Sequence, residues 1–262
     1  MIDFVRKESY GLNDLKKIVS ILRAPGGCPW DAEQTHESLC RGTLEECYEV
    51  IEAIHEENPD HLKEELGDLL LQVVFHADIE QEAGRFDLDD VADGISKKLI
   101  FRHPHVFGDV SVADSAEVLV NWDALKRQEK AQETYTDTLT SVARSLPALW
   151  RAEKVQKKAK KAGFDWPDAS GAVDKLSEEL GELKEAMAQG SNIEEELGDL
   201  LFSVVNVSRF LNTDPEEALS AATDKFISRF AKVEQMALSQ GKDMAQMSLQ
   251  ELDKLWESAK QT

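Results

Sequence analysis

One acidic pattern occurs twice in this sequence, and each copy leads into an apolar segment. The pattern is EExxE followed shortly by EELGD, and it spans residues 44–70 and again residues 177–201. The separation between equivalent acids changes by only two residues along the pattern. Later residues recur in the same order: Lys98, Arg102, Trp122 and Lys126 match Lys225, Arg229, Trp256 and Lys260. A chain that repeats itself in this way is expected to fold as two copies of one structural unit.

Helical periodicity dominates both copies. Leu12, Leu15, Val19 and Leu22 recur at the spacing of one helix face, and Pro25-Gly26-Gly27 ends that helix. Residues 26–31, with the sequence GGCPWD, are expected to form a loop. Further helices are predicted over residues 43–57, 60–83, 88–101, 114–130, 146–162, 172–188, 192–211, 214–239 and 248–260. The sequence therefore predicts an all-α fold of two tandem helical-bundle repeats.

The domain boundary is expected where periodicity fades. Residues 133–138 are rich in Thr and weakly patterned, which is typical of a connecting segment. We predict a first domain over 1–132, a linker over 133–144 and a second domain over 145–262.

Charge and cysteine content limit the function classes. A formal net charge of −21 repels polyanions, which argues against duplex nucleic acid and anionic membrane surfaces as partners. The apolar runs are too short to span a bilayer. Three cysteines without a CxxC pair indicate reduced thiols and a cytoplasmic location. A small phosphorylated ligand would need a divalent metal to bind so acidic a chain.

The repeated acids form a candidate metal site in each half. Residues three apart on a helix share a face, and two antiparallel helices joined by a short turn direct such pairs into one gap. Carboxylate oxygens suit Mg²⁺ or Mn²⁺ better than zinc. The candidate ligands are Glu46, Glu49, Glu65 and Asp68 in the first half and Glu179, Glu182, Glu196 and Asp199 in the second. The alternative for a single copy is a solvated acidic surface, but the recurrence favours a site.

Apolar residues surround these acids. Those of residues 66–77 spread around nearly the whole helix circumference, which predicts a helix packed on all sides, and residues 197–207 have the same property. Glu46 and Glu49 point away from the apolar stripe of Leu44, Tyr48 and Ile51 on their own helix. We therefore expect a second packing surface there, supplied by a dimer partner or by the other half.

The recurrent cations and tryptophans fit a phosphorylated ligand. Lys98 with Arg102, and Lys225 with Arg229, are pairs that can reach phosphate oxygens. Trp122 and Trp256 can stack on a base or ribose. The alternatives are salt bridges for the cations and core packing for the tryptophans.

The motifs resemble the all-α nucleoside triphosphate pyrophosphohydrolase superfamily, and specifically its MazG family. Besides the doubled acids, the supporting strings are GCPWD at 27–31, RHPHVF at 102–107, RSLPAL at 144–149 and GFDW at 163–166. They cover both halves. The resemblance implies Mg²⁺-dependent hydrolysis of nucleoside triphosphates between the α and β phosphates, giving the monophosphate and pyrophosphate. It leaves open whether the role is clearance of aberrant nucleotides or regulation of nucleotide levels.

The resemblance also implies roles for individual residues. The metal ligands are the eight acids named above, and the nucleotide contacts are Lys175, Glu178, Glu195, Lys225, Arg229 and Trp256. Glu178, with Glu45 as its first-half counterpart, is the candidate for orienting or deprotonating the attacking water. Family members of this type are usually dimers. The second half is favoured as the more active copy because His103-Pro104-His105 interrupts the corresponding helix of the first.

Two rival hypotheses follow from other features. Glu52-Ala53-Ile54-His55 has the Glu-x-x-His form of a di-iron bundle, but residues 185–188 of the second half have no histidine. A non-catalytic helical adaptor would instead use the acids as a solvated surface for basic partners. His103 and His105 alone do not indicate a zinc site.

Overall fold

The computed structural model describes residues 4–260, and the chain divides into two compact units, Met1–Lys126 and Arg127–Thr262. All regular elements of the described residues are helices, which confirms the predicted all-α class. None of these helices is long and apolar enough to cross a membrane.

The first unit is built on a helical hairpin. Its elements are α1 (Leu12–Arg23), α2 (Pro29–Glu33), α3 (His36–His55), α4 (Pro59–Glu82), α5 (Leu88–Arg102), α6 (Pro104–Phe107) and α7 (Ser115–Glu129), the last of which crosses the division between units. Helices α3 and α4 pack along each other, and α1 lies against α4. The core contains Val19, Leu39, Val74, Phe75, Ala77 and Leu88.

The second unit repeats this plan. Its elements are α8 (Tyr135–Thr140), α9 (Ala148–Lys161), α10 (Ala169–Gln189), α11 (Ile193–Phe210), α12 (Pro215–Ser239), a 3₁₀ turn (Met244–Gln246) and α13 (Leu249–Ala259). Helices α10 and α11 form the hairpin, α9 packs on α11, and α13 packs on α12. Buried residues of this unit include Ala172, Ala186, Val205, Val233, Ala237 and Ala259.

Local signals fix the ends of the hairpin helices. Asn58 accepts hydrogen bonds from the backbone amides of Asp60 and His61, and Pro59 occupies the first position of α4, where its missing amide costs nothing. In the second hairpin Gly190 ends α10 at φ 70°, a left-handed conformation that glycine adopts without strain. Each hairpin connection is three residues long, 56–58 and 190–192.

Several sequence expectations need correction. Helix α2 begins inside the predicted loop at 26–31, and α3 begins at His36 rather than near residue 43. Helix α2 persists because the buried Arg23 side chain donates to the carbonyl oxygens of Asp31 and Gln34, at 2.8 and 3.2 Å. The predicted linker 133–144 contains α8, which packs on α9, and the division into units falls after Lys126 rather than after 132.

The prediction of helices packed on all sides is wrong for the described chain. Helices α4 and α11 each bury one face and leave another apolar face exposed. The exposed residues are Leu66, Leu70 and Val73 on α4 and Leu197, Leu201 and Val204 on α11.

Candidate metal and nucleotide site

Acidic residues from both helices of the first hairpin converge in one gap. Carboxylate oxygens of Glu46 and Glu49 on α3 and of Glu65 on α4 all lie within 4.8 Å of one another. Glu65 is buried, Glu46 is half-buried and Glu49 is exposed. Asp68 is outside this group of three, yet its charge raises the pKa of Glu46.

The orientation of α3 differs from the expectation. Glu46 faces α4, where its carboxylate lies close to that of Glu65, while Leu44, Tyr48 and Ile51 are exposed. The second packing surface is therefore needed over the apolar stripe, not over the acids. Burial raises the pKa of Glu46 most, and the charges of Asp68 and Glu49 raise it further.

The second hairpin forms an equivalent cluster with a different membership. Carboxylate oxygens of Glu179 on α10 and of Glu196 and Asp199 on α11 lie within 4.8 Å of one another. Glu182 is the acid left outside this group. Burial and then the Glu179 charge raise the pKa of Glu182.

An unpartnered buried oxygen lies in the second cluster. The Glu179 side chain is only 6% exposed, and its Oε2 atom is buried without a hydrogen-bond partner among the described residues. A buried carboxylate oxygen without a partner costs free energy unless a cation or donor satisfies it. This oxygen, together with the oxygens of Glu196 and Asp199, has the donor set that a divalent cation such as Mg²⁺ or Mn²⁺ requires. The residues present therefore fit a divalent cation.

A different basic side chain lies beside each acidic cluster. In the second half, Lys175 Nζ lies 2.7 Å from Glu179 Oε1 and 2.8 Å from Glu178 Oε1, and these two acids raise the pKa of Lys175. Gly42 occupies the equivalent position of the first half. There His61 lies beside the cluster instead, with Nε2 3.1 Å from Glu65 Oε1.

The remaining predicted first-half residues lie on α3, α5 and α7. Glu45 is exposed and pairs with Arg41 at 2.8 Å. Lys98 is exposed and Arg102 half-buried on α5, and Trp122 on α7 contacts His103 with ring centroids 5.9 Å apart.

In the second half the predicted nucleotide contacts fall into two groups. Lys175 and Glu178 lie at the acidic cluster, and Glu195 is exposed beside Glu196. Trp256 on α13 contacts Phe226 on α12, with ring centroids 5.1 Å apart, and Phe226 follows Lys225 in the chain. Arg229 lies one turn further along α12. Among the described residues, Lys225, Arg229 and Trp256 form no hydrogen bond or ion pair with the acids of the cluster.

Two residues of the site were missed by sequence reasoning. His61 lies four residues before Glu65, a spacing that places both on one helix face, so it could have been found. Gln72 has the same spacing from Asp68 and lowers the pKa of Glu46, an effect that depends on how the two helices are rotated. The di-iron hypothesis gains no support, because Glu52 and His55 are both exposed and neither belongs to an acidic or histidine cluster of the described residues.

Comparison with known proteins gives consistent matches over both halves. A family model described as the MazG nucleotide pyrophosphohydrolase domain matches residues 34–107 and 170–233. A Thermotoga maritima protein named nucleoside triphosphate pyrophosphohydrolase/pyrophosphatase MazG is 49% identical over 247 residues, covering 94% of each chain. An Escherichia coli K12 protein named nucleoside triphosphate pyrophosphohydrolase is 45% identical over 257 residues, covering 95% of this chain and 98% of that protein.

Proposed function

Because this chain belongs to the MazG nucleotide pyrophosphohydrolase family, we propose that it hydrolyses nucleoside triphosphates between the α and β phosphates, with Mg²⁺ bound at an acidic cluster. The products are the nucleoside monophosphate and pyrophosphate. The observation that carries the proposal is the buried, unpartnered Oε2 of Glu179 within a group of three carboxylates. The relatives named above, which are nucleoside triphosphate pyrophosphohydrolases by name, support the reaction class.

The metal would be held by Glu179, Glu182, Glu196 and Asp199 in the second half and by Glu46, Glu49, Glu65 and Asp68 in the first. Bound Mg²⁺, or Mn²⁺ in its place, neutralises triphosphate charge and activates a water. Without it, Lys175 is the residue that neutralises Glu179.

The chain's other residues bind and orient the substrate. Glu178 is exposed and held by Lys175, which places a carboxylate beside the cluster to orient or deprotonate the attacking water. Lys225 and Arg229 bind the pyrophosphate oxygens, and the Trp256 ring stacks on the base. Glu195 completes the nucleotide contacts.

The exposed apolar faces support a homodimer. In the first hairpin Leu44, Tyr48 and Ile51 of α3 are 37–56% exposed, and α4 and α11 have similar faces. Contiguous exposed apolar residues on one face mark an interaction surface, and closed two-fold dimers are the commonest way to cover it. Light scattering should therefore give twice the monomer mass of 29.3 kDa, and Leu201→Glu should shift it toward the monomer.

The three cysteines, Cys28, Cys40 and Cys47, are all free thiols, which supports a reducing compartment and hence the cytoplasm.

Pyrophosphate release from a panel of ribo- and deoxyribonucleoside triphosphates tests the activity. We expect release with Mg²⁺ and none with EDTA. The preferred base should indicate whether the enzyme clears aberrant nucleotides or regulates the common ones. If none of the substrates releases pyrophosphate, the hypothesis of a non-catalytic adaptor is favoured over that of an enzyme.

Matched variants assign the working half. Asp199→Asn and Glu182→Gln should each lower activity about 100-fold or more if the second cluster is catalytic. Glu49→Gln should then leave it unchanged. Glu234→Gln, an exposed acid on α12 with no described contact, controls for the general effect of losing one negative charge.

A further inference from the structure

The second unit contains a cavity of about 510 Å³ between α9, α11 and the turn that follows α9. Its walls are mainly aliphatic and aromatic, and they include Leu139, Val155, Trp166 and Phe202. Among the described residues that line it, none belongs to the candidate metal and nucleotide site. Ligand sites in proteins have this size and this mainly apolar lining. The cavity is therefore a separate candidate for a binding site.

One wall of the cavity is open because Ala159 is small. Gly27 and Gly163 each donate to the carbonyl oxygen three residues back, so the turns after α1 and α9 are equivalent and Arg23 of the first half aligns with Ala159. The Arg23 side chain is buried and joins α1 to α2 and α4. A methyl group in place of that long side chain leaves space in the second half.

The facing wall also differs between the halves. Asn206 lies ten residues after Glu196, and Phe75 lies ten residues after the equivalent Glu65. In the first half the guanidinium carbon of Arg23 lies 5.3 Å from the centroid of the Phe75 ring. Asn206 replaces that ring with a polar amide. The cavity thus coincides with two differences between the duplicated halves.

A buried amide in the cavity wall lacks one partner. Gln156 is 6% exposed, and its Nε2 donates to the Phe202 carbonyl oxygen at 2.8 Å. Its Oε1 atom is buried without a hydrogen-bond partner among the described residues. A buried acceptor without a donor costs free energy, and an apolar side chain of similar size would avoid that cost. A ligand in the cavity can supply the donor that the Gln156 oxygen lacks.

A second buried amide gives the cavity a donor. Asn206 is 8% exposed, and its Oδ1 accepts from Nε and Nη2 of Arg209, at 3.2 and 2.6 Å. Because the oxygen is engaged in this way, the Asn206 nitrogen is the atom that remains to donate. The wall thus carries one amide acceptor and one amide donor.

The charged residues of the cavity wall neutralise each other. Arg209 Nη1 donates to Asp165 Oδ2 at 2.8 Å, Nη2 donates to Oδ1, and both side chains are largely buried. Among the lining residues this pair leaves no free cation for a phosphate or carboxylate and no free carboxylate for an amine. The part of a ligand that enters the cavity is therefore uncharged.

Aromatic rings form the remaining wall and its rim. Trp166 packs directly on α10, because a Cβ added at Gly171 would lie 2.2 Å from Trp166 Cδ1. Phe202 is partly exposed in the wall, and the Phe164 ring is 83% exposed. Such rings stack on planar ligands. A planar, uncharged ring that carries an N–H donor and an acceptor matches all of these groups.

We propose that this cavity binds a nucleobase, supplied as an uncharged nucleoside, at a site separate from the acidic clusters. An N–H group of the base donates to Gln156 Oε1, an acceptor of the base receives the Asn206 amide, and the ring stacks beside Trp166. Side-chain amides and aromatic rings recognise bases in this manner. The inference goes beyond the proposed function and does not depend on it.

Fluorine NMR of the full chain labelled with fluorotryptophan tests the site. Trp166 gives one of five signals, which Trp166→Phe assigns. The titrations use the Trp256→Ala chain, which lacks the ring proposed to stack on the substrate base. At least one of adenosine, guanosine, cytidine and uridine should shift the Trp166 signal saturably, with a Kd below about 1 mM. No saturable shift with any of the four would overturn the proposal.

Two variants of the cavity wall connect the signal to the site. Gln156→Met keeps the side-chain length but removes the acceptor, so it should weaken binding about tenfold. Ala159→Leu fills the space and should abolish the shift. Gln189→Met and Ala188→Leu make the same changes at exposed positions of α10 and should bind as their parent does. Circular dichroism checks that each variant is folded.

Two patterns among these variants would contradict the proposal. Unchanged affinity in Gln156→Met with loss in Ala159→Leu would show that the cavity takes apolar rings without the hydrogen bond, which overturns the assignment to a nucleobase. Unchanged affinity in both variants would show that the ligand binds elsewhere.

The nucleoside monophosphate distinguishes this cavity from the nucleotide site. Its phosphate meets no free cation at the cavity wall, so it should bind no more tightly than the nucleoside. Clearly tighter binding of the monophosphate would place the ligand at the nucleotide site and overturn the proposal.

Discussion

Lys175 Nζ lies 2.7 Å from Glu179 Oε1, and this pair links the candidate nucleotide contacts to the most buried acid of the second cluster. Lys175 is partly exposed and Glu179 is not. The lysine therefore stabilises the acid in the metal-free chain; under the proposed function, a metal bound at the cluster would release it to contact substrate phosphate.

Lys175→Met should destabilise the metal-free protein. Removing the cation leaves the Glu179 carboxylate buried and unpaired, at a cost of about 1–3 kcal/mol. Thermal unfolding in EDTA should show a lower Tm, and added Mg²⁺ should recover most of the loss because it binds the folded state. Lys184→Met, an exposed lysine on the same helix, should change neither value. A Tm loss that Mg²⁺ does not reduce would contradict this account of the cluster.

Asp165→Asn should destabilise the second unit in a pH-dependent way. Arg209 donates to both carboxylate oxygens of Asp165, and both side chains are largely buried. Breaking such a pair costs about 3 kcal/mol, which urea unfolding followed by far-UV circular dichroism at pH 7 can measure.

The sign of the pH effect follows from the Asp165 pKa. The Arg209 hydrogen bond holds that pKa below its usual value of 3.8 in the folded state. The ion pair therefore contributes its full stability above the pKa that Asp165 has in the unfolded chain. That contribution is lost as the pH falls through the lower pKa of Asp165 in the folded state. The difference between wild type and Asp165→Asn should shrink below pH 3.8. Asp174→Asn, at an exposed position on α10, should show no difference at either pH.

Gly27→Ala should be among the most destabilising small substitutions. An added Cβ would lie 2.3 Å from the backbone carbonyl oxygens of Ile21 and Leu22, which belong to α1 and cannot move aside. We expect a loss of about 3 kcal/mol or more in chemical unfolding. Gly94→Ala, at a helical position with open space, should instead stabilise by about 0.5–1 kcal/mol. Similar effects at both positions would show that the α1–α2 turn is looser than described.

Trp256→Ala should raise KM for the nucleotide more than it lowers kcat. Base stacking on an aromatic ring contributes about 1–3 kcal/mol, so KM should rise at least about fivefold. Trp256→Phe should retain most of the affinity. Trp122→Ala removes the equivalent ring of the first half, and initial-rate kinetics should show little change if the second half is the working one. A larger effect at Trp122 would assign the activity to the first half.

The fold was largely predictable because its signals are local. Caps, prolines and apolar spacing located most of the long helices to within a few residues, as at Asn58-Pro59 and Asp214-Pro215, whereas the start of α3 was placed seven residues late. Helix α2 was missed because its last carbonyl oxygens accept hydrogen bonds from Arg23, which lies outside the helix on α1. Helix α8 carries a capping box between Thr134 and Asp137, a readable signal that the Thr-rich composition obscured.

The site was predictable in its acids but not in its neighbours. Recurrence and three-residue spacing identified the eight carboxylates, and the family resemblance that they suggested is confirmed by the family match. Their roles as metal ligands stay predictions. In each half, three of the four acids converge within 4.8 Å of one another. Which three acids converge depends on how the two helices are rotated about their axes, and the contacts of Gln72 depend on the same rotation. No local sequence pattern encodes that rotation.

The two hairpins are not the same length, and that difference has a consequence for ligand design. Glu49 and Glu65 are separated by two more residues than Glu182 and Glu196. The group of three carboxylates that converges leaves out Asp68 in the first copy but Glu182 in the second. A chelating compound that fits the three carboxylates of one half would meet carboxylates at different helix positions in the other half.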